Sequence, residues 1–73
     1  MIEHILRTSL ERGWIITIIY SGSNGISERN IKVLELQDDS LKAYCYLRKQ
    51  VRFFKMDSIL SAAYQVERYR AIS

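Results

Sequence analysis

The sequence predicts a mainly β fold: one short N-terminal α-helix followed by five strands that close, or nearly close, into a small barrel. Three observations carry that reading. Apolar residues at helical spacing are confined to residues 2 to 12; beyond them β-branched and aromatic residues come in short stretches broken by Gly, Asn, Asp and Ser; and the chain has no proline. A domain with a single helix has little else to cover its sheet edges, and closure removes them.

Ile2, Ile5, Leu6 and Leu10 make one apolar stripe, so residues 2 to 12 read as an amphipathic helix. Gly13 follows directly, where a left-handed glycine closes a helix. From Trp14 the run Ile15-Ile16-Thr17-Ile18-Ile19-Tyr20 reads as a strand with both faces covered. Ser21-Gly22-Ser23-Asn24-Gly25 is the clearest hairpin turn, because its residues tolerate positive φ. A second strand runs from about residue 28 to 36, and Asp38-Asp39-Ser40 turns the chain again. The next two strands form a hairpin. A tight turn centred on Lys49-Gln50 sets Cys45 against Phe54, Ala43 against Met56 and Leu47 against Arg52 on one face; a four-residue loop over residues 48 to 51 keeps the same parity. Asp57-Ser58 caps one short turn through Ile59 and Leu60, and a last strand occupies residues 62 to 69.

Composition narrows the function. Eleven Lys or Arg against eight Asp or Glu leave a net charge of +3, and 48% of the 73 residues are hydrophobic, which describes one small globular domain. A chain this short buries only about 60% of the surface it exposes when unfolded, so a homo-oligomer is expected. No apolar run approaches the roughly 20 residues that span a bilayer, and no early apolar stretch precedes a small-residue cleavage site; a soluble cytoplasmic protein without a membrane partner is expected. Cys45 is the only cysteine and His4 the only histidine, far apart in the chain, which excludes an internal disulfide and a structural zinc site. Asp38, Asp39 and Asp57 lack the spacing of a calcium loop, and no glycine-rich phosphate motif precedes a helix. No cofactor is expected.

The stretch Ala43-Tyr44-Cys45-Tyr46-Leu47-Arg48, followed by Arg52, Phe54, Lys55, Met56, Asp57 and Ile59, resembles the C-terminal half of the WYL domain, which reads Ala-Tyr-Cys, Leu-Arg and Arg-x-Phe-Arg-Leu-Asp-Arg-Ile. Upstream, Tyr20 at the end of an apolar strand and Arg29-x-Ile31-x-x-x-x-Leu36 are similar to that family's first two strands. The resemblance covers roughly residues 14 to 60. The eponymous Trp-Tyr-Leu falls on Asp39-Ser40-Leu41, an arginine of the pattern is Ser58, and Val33 stands where the family usually has proline. A divergent, stand-alone relative is the description that fits. The resemblance implies a five-stranded Sm-like or SH3-like barrel behind a short helix. It also implies a regulatory role, since WYL domains usually follow a DNA-binding domain in bacterial transcription regulators and sense nucleic acid or another anionic ligand through basic residues. Without that domain, such a barrel acts alone, acts as an oligomer, or lends its sensing surface to another chain.

The charge distribution points the same way. Residues 1 to 36 hold four basic and four acidic groups, whereas residues 37 to 73 hold seven and four. From Lys42 to Lys55 there are five basic residues and no acidic one, interleaved with Tyr44, Tyr46, Phe53 and Phe54. Basic groups between aromatic platforms suit single-stranded nucleic acid or a nucleotide; the competing reading is that strands favour aromatics and hairpins carry charge for solubility. Arg29, Arg48 and Arg52 are the candidate ligand contacts, because a guanidinium forks onto phosphate or carboxylate. Against this, each is an ordinary surface arginine if paired with Glu28, Asp57 or Glu67. Tyr20 and Tyr44 either stack on a base or stand half-buried with the hydroxyl at a rim. Cys45 reads as a buried core thiol, because no base is near to generate thiolate. With no catalytic constellation, the expectation is a non-enzymatic module for sensing an anionic ligand. The rival is a protein-interaction module, with Trp14, Tyr44, Tyr46 and Phe53 forming a groove for a partner peptide, or a self-associating accessory subunit of a transcription regulator.

Overall fold

The computed structural model describes residues 2–65. A helix, α1 (Ile2–Arg12), leads into five strands: β1 (Ile16–Gly22), β2 (Gly25–Leu36), β3 (Ser40–Cys45), β4 (Gln50–Lys55) and β5 (Ile59–Tyr64), with one 3-10 turn (Met56–Ser58) before the last. All neighbouring strands are antiparallel, in the order β4-β3-β2-β1-β5. The fold is therefore mainly β, as the sequence predicts.

Barrel closure is not made. β4 and β5 are the two edges of one sheet and are not hydrogen-bonded to each other. The sheet is nonetheless strongly curled, because four residue steps separate Lys55 from Ile59. That length of chain reaches about 14 Å at most, whereas the edges of a flat five-stranded sheet lie about 19 Å apart. The ring contact between Tyr20 of β1 and Phe54 of β4, at 4.9 Å between centroids, closes this corner with side chains.

The register assigns every strand an inner and an outer face. Ile16 and Ile18 face inward opposite Ile31 and Arg29; Ile31 and Val33 lie opposite Cys45 and Ala43; Ala43 and Leu41 lie opposite Arg52 and Phe54. The apolar members of this set, with Leu6 of α1 and Ile59, are the buried core. Ile2, Ile5 and Leu10 pack against it from the helix, as their spacing predicts. Gly13 ends the helix at φ 70°, its N–H donating to the Ser9 carbonyl at 2.8 Å. The first hairpin turns over Ser23 and Asn24, with Gly25 at φ 105°.

Three elements differ from expectation. The β3–β4 turn occupies residues 46–49, and Lys49 takes φ 56°, so Cys45 lies opposite Gln50 and Phe54 opposite Leu41. Each partner has slipped by an even number of residues, so the faces are those expected although the pairs are not. Leu47 leaves the strand and is 65% exposed. The 3-10 turn precedes Ile59 rather than containing it; the expected last strand beyond Gln65 lies outside the described residues. Finally, β1 is covered on one face only: Ile16 and Ile18 are fully buried, while Thr17 and Ile19 are half-buried.

Candidate functional site

Arg29 stands on the inner face of β2, in register with Ile18 on β1 and two positions before the buried Ile31. Arg29 is half-buried there. The guanidinium Nε donates to the Ser27 hydroxyl at 3.2 Å, and Nη1 lies 4.0 Å from the Cys45 sulfur, a weak acceptor. Ser27 is two residues before Arg29 and therefore on the same face, directly opposite Tyr20. Arg52 is on the inner face of β4, opposite Ala43 and two residues before Phe54. Phe54 in turn meets Tyr20 edge to face, at an interplanar angle of 82°. Tyr20, Ser27, Arg29 and Arg52 thus share the concave side of the sheet, with the Tyr20–Phe54 contact linking the strands that carry them.

Among the described residues no acidic one stands on that inner face. Glu28 alternates with Arg29 and points outward; Glu35, after the irregularity in β2 that follows Val33, pairs with the outward-facing Lys42. Among the described residues neither the Arg48 nor the Arg52 side chain makes a hydrogen bond or ion pair, and the Arg29 side chain bonds only to Ser27 and Cys45. The alternative of arginines paired with Glu28 or Asp57 is therefore not realised, while Glu67 lies outside the described residues. Arg52 therefore keeps its full fork of donors for an incoming anion, and Arg29 keeps those that Ser27 and Cys45 leave unused.

The other two candidates lie elsewhere. Tyr44 is on the outer face, opposite Lys32 and Val51, where its ring meets Tyr46 edge to face at 4.8 Å. Arg48 lies in the β3–β4 turn, fully out of the sheet. The sequence stretch from Lys42 to Lys55 is thus one patch in the chain but two in space: Arg52 inside, and Lys42, Tyr44, Phe53 and Lys55 outside. The groove imagined for a partner peptide is divided as well. Trp14 packs edge to face on Tyr64 at the β5 edge, under the Arg12 guanidinium at 5.4 Å, while Tyr44, Tyr46 and Phe53 belong to the β3–β4 edge. Cys45 is fully buried, as expected.

Ser27 was not singled out in the sequence, although its spacing from Arg29 in a strand places both on one face. Ser9 was also missed. It occupies the apolar stripe of α1 seven residues after Ile2, is fully buried, donates its hydroxyl to the Trp14 carbonyl at 2.6 Å and accepts from the Val33 N–H at 3.0 Å. Its role is to fasten the helix to β2 where the β2–β3 ladder is irregular.

No family model matches the sequence, and neither does any curated protein. Among solved structures the chain is similar to Proteasome accessory factor B/C (PafBC) of Arthrobacter aurescens, with a TM-score of 0.77 and 22% identity over 86% of this chain and 11% of that one. At that identity the likeness shows the fold, and it spans a small part of a much longer protein. No helix among the described residues is long and apolar enough to cross a membrane.

Proposed function

We propose that this chain is a non-enzymatic regulatory module of the cytoplasm that senses an anionic ligand, a nucleotide or the backbone of single-stranded nucleic acid, on the inner face of a curled WYL-like sheet. The observation that carries the reading is the pair Arg29 and Arg52 on a face that holds no carboxylate among the described residues. Each is placed by strand parity, and the chain supplies neither with a counter-charge among the described residues. Arg29 and Arg52 bind the phosphates, Ser27 orients Arg29, and the Tyr20 ring lines the same face. The regulatory part of the reading draws on the resemblance of residues 14 to 60 to the WYL domain, and the fold shared with PafBC, a proteasome accessory factor by its title, is what the comparison adds. The Sm-like or SH3-like assignment of the curled sheet belongs to the same proposal.

The test is fluorescence anisotropy of labelled oligo-dT and oligo-rU over a range of salt, with inorganic phosphate and AMP as competitors. Two phosphates neutralised on a single strand give a slope of about −1.4 in the logarithm of affinity against the logarithm of salt. Arg52→Glu and Arg29→Gln should each remove most binding and flatten the slope. Arg48→Glu and Tyr44→Ala, away from that face, should change affinity little. If both inner-face variants bind every anionic probe as the parent chain does, the protein-interaction reading replaces this one.

A further inference from the structure

The outer face of β2, β3 and β4 carries an ordered pattern of charge and apolar surface. Lys32 of β2 lies opposite Tyr44 of β3, and Tyr44 opposite Val51 of β4; Lys42 of β3 lies between Glu35 of β2 and Phe53 of β4; Lys55 of β4 lies opposite Ser40 of β3. Each lysine is thus one strand across and two residues along from the one before. At about 4.8 Å between strands and about 6.7 Å for two residues, the three stand on a diagonal at intervals of about 8 Å. Tyr44 and Phe53 form the next diagonal, with Val51 behind them, and Val51 and Phe53 are 45% and 67% exposed. The outer faces of β3 and β4 hold no acidic residue, and none of the three lysine side chains makes a hydrogen bond or ion pair among the described residues. The carboxylate of Glu35, opposite Lys42, accepts instead from the Gln37 amide at 3.4 Å.

We infer that this face docks an acidic amphipathic segment of a partner protein, its carboxylates on the lysine diagonal and its apolar side chains on Tyr44, Val51 and Phe53. Charge selects the occupant. A second copy laid on the same face would set one lysine diagonal against another, and juxtaposed like charges oppose association. Single-stranded nucleic acid would meet the same positive charge, but the face lacks what such a strand uses best. The guanidinium forks suited to phosphate are elsewhere, Arg29 and Arg52 on the inner face and Arg48 in the β3–β4 turn. Tyr44 and Tyr46 meet edge to face at an interplanar angle of 73°, so they are not parallel platforms for successive bases, and Phe53 is the one ring there without a ring partner among the described residues. A carboxylate needs no fork; the compact charge of an ammonium group serves it. Exposed aromatic and branched apolar side chains beside a polar margin are the surface that a protein partner buries. The inference is independent of the anion reading, since these side chains face away from Arg29 and Arg52.

The experiment is fluorescence anisotropy of a labelled synthetic peptide with leucines spaced as on one helix face and glutamates flanking them, beside a twin in which every glutamate is glutamine. The full chain should bind the glutamate peptide saturably, about tenfold or more tighter than the glutamine twin, and the difference should shrink as salt is raised. Lys42→Glu and Phe53→Ser should each weaken that binding about tenfold or more, through the charge and the apolar contact respectively, while oligo-dT binding stays that of the parent chain. The absence of saturable binding overturns the inference, and so does affinity for the peptide that neither variant changes. Oligo-dT that displaces the peptide and loses affinity in the same two variants assigns the face to nucleic acid and overturns it. A self-associated parent chain that Phe53→Ser dissociates and the peptide leaves intact assigns the face to a second copy and likewise overturns it. Should a variant unfold, NMR of the parent chain decides: amide shifts on adding the glutamate peptide that centre on Lys32, Tyr44 and Phe53 support the docking face, and shifts confined to other residues overturn it.

Discussion

Ser9 shows how one polar side chain inside an apolar stripe can hold two elements in register. Its hydroxyl satisfies two backbone groups at once, the Trp14 carbonyl after the helix in a part-buried bond and the Val33 N–H in β2 in a buried one. Removing one partner from a buried hydrogen bond leaves the other to bear its desolvation, about 1 to 3 kcal/mol for each group. Ser9→Ala should therefore lower the unfolding free energy by about 1 to 3 kcal/mol in urea titration through the orphaned Val33 N–H, more than the exposed Thr8→Ala, whose hydroxyl only donates back to the His4 carbonyl at 2.9 Å. Lys49 is the opposite case. A non-glycine residue at φ 56° carries left-handed strain of order 1 kcal/mol. Lys49→Gly releases it while adding freedom to the unfolded chain, so a small net gain is expected, up to about 1 kcal/mol, visible as a higher urea midpoint.

At the scale of elements, what was legible in the sequence was whatever parity alone determines. The stripe of α1, its stop at Gly13, the two faces of β3 and β4, and the buried Cys45 all follow from periods that a few residues establish. The turn between β3 and β4 did not. Residues 46–49 contain no glycine or asparagine, and the strained φ that lets the chain reverse there falls on a lysine, which no turn signature marks. The same turn takes Arg48 out of the sheet and so divides a site that looked continuous along the chain. Tyr44 is adjacent in sequence to Cys45, and adjacent strand residues face opposite ways, so parity alone already sets it on the outer face, away from Arg29 and Arg52. Phe53 and Phe54 make the point measurable. Phe54 is 5% exposed and meets Tyr20, whereas Phe53 is 67% exposed. Phe54→Ala should cost roughly 3 to 5 kcal/mol and Phe53→Ala much less in dilute protein. Equal losses in a denaturant titration would contradict the register.

For the molecule as a whole, small size ties stability to occupancy. Typical values per residue give a 73-residue chain about 4 to 11 kcal/mol against unfolding. Anything that binds only the folded state is then a large fraction of the total. An anion at a hundred times its Kd adds about 2.7 kcal/mol, which for a domain of this length raises Tm by about 10 to 20 °C. Thermal scans with and without oligo-dT check this. Arg52→Glu should abolish the shift with oligo-dT, whereas Leu60→Lys should keep it, because Leu60 is exposed on a strand that carries none of the arginines. Loss of the shift in Leu60→Lys alone would place the oligo-dT on the β5 side of the sheet and remove the inner face as its site.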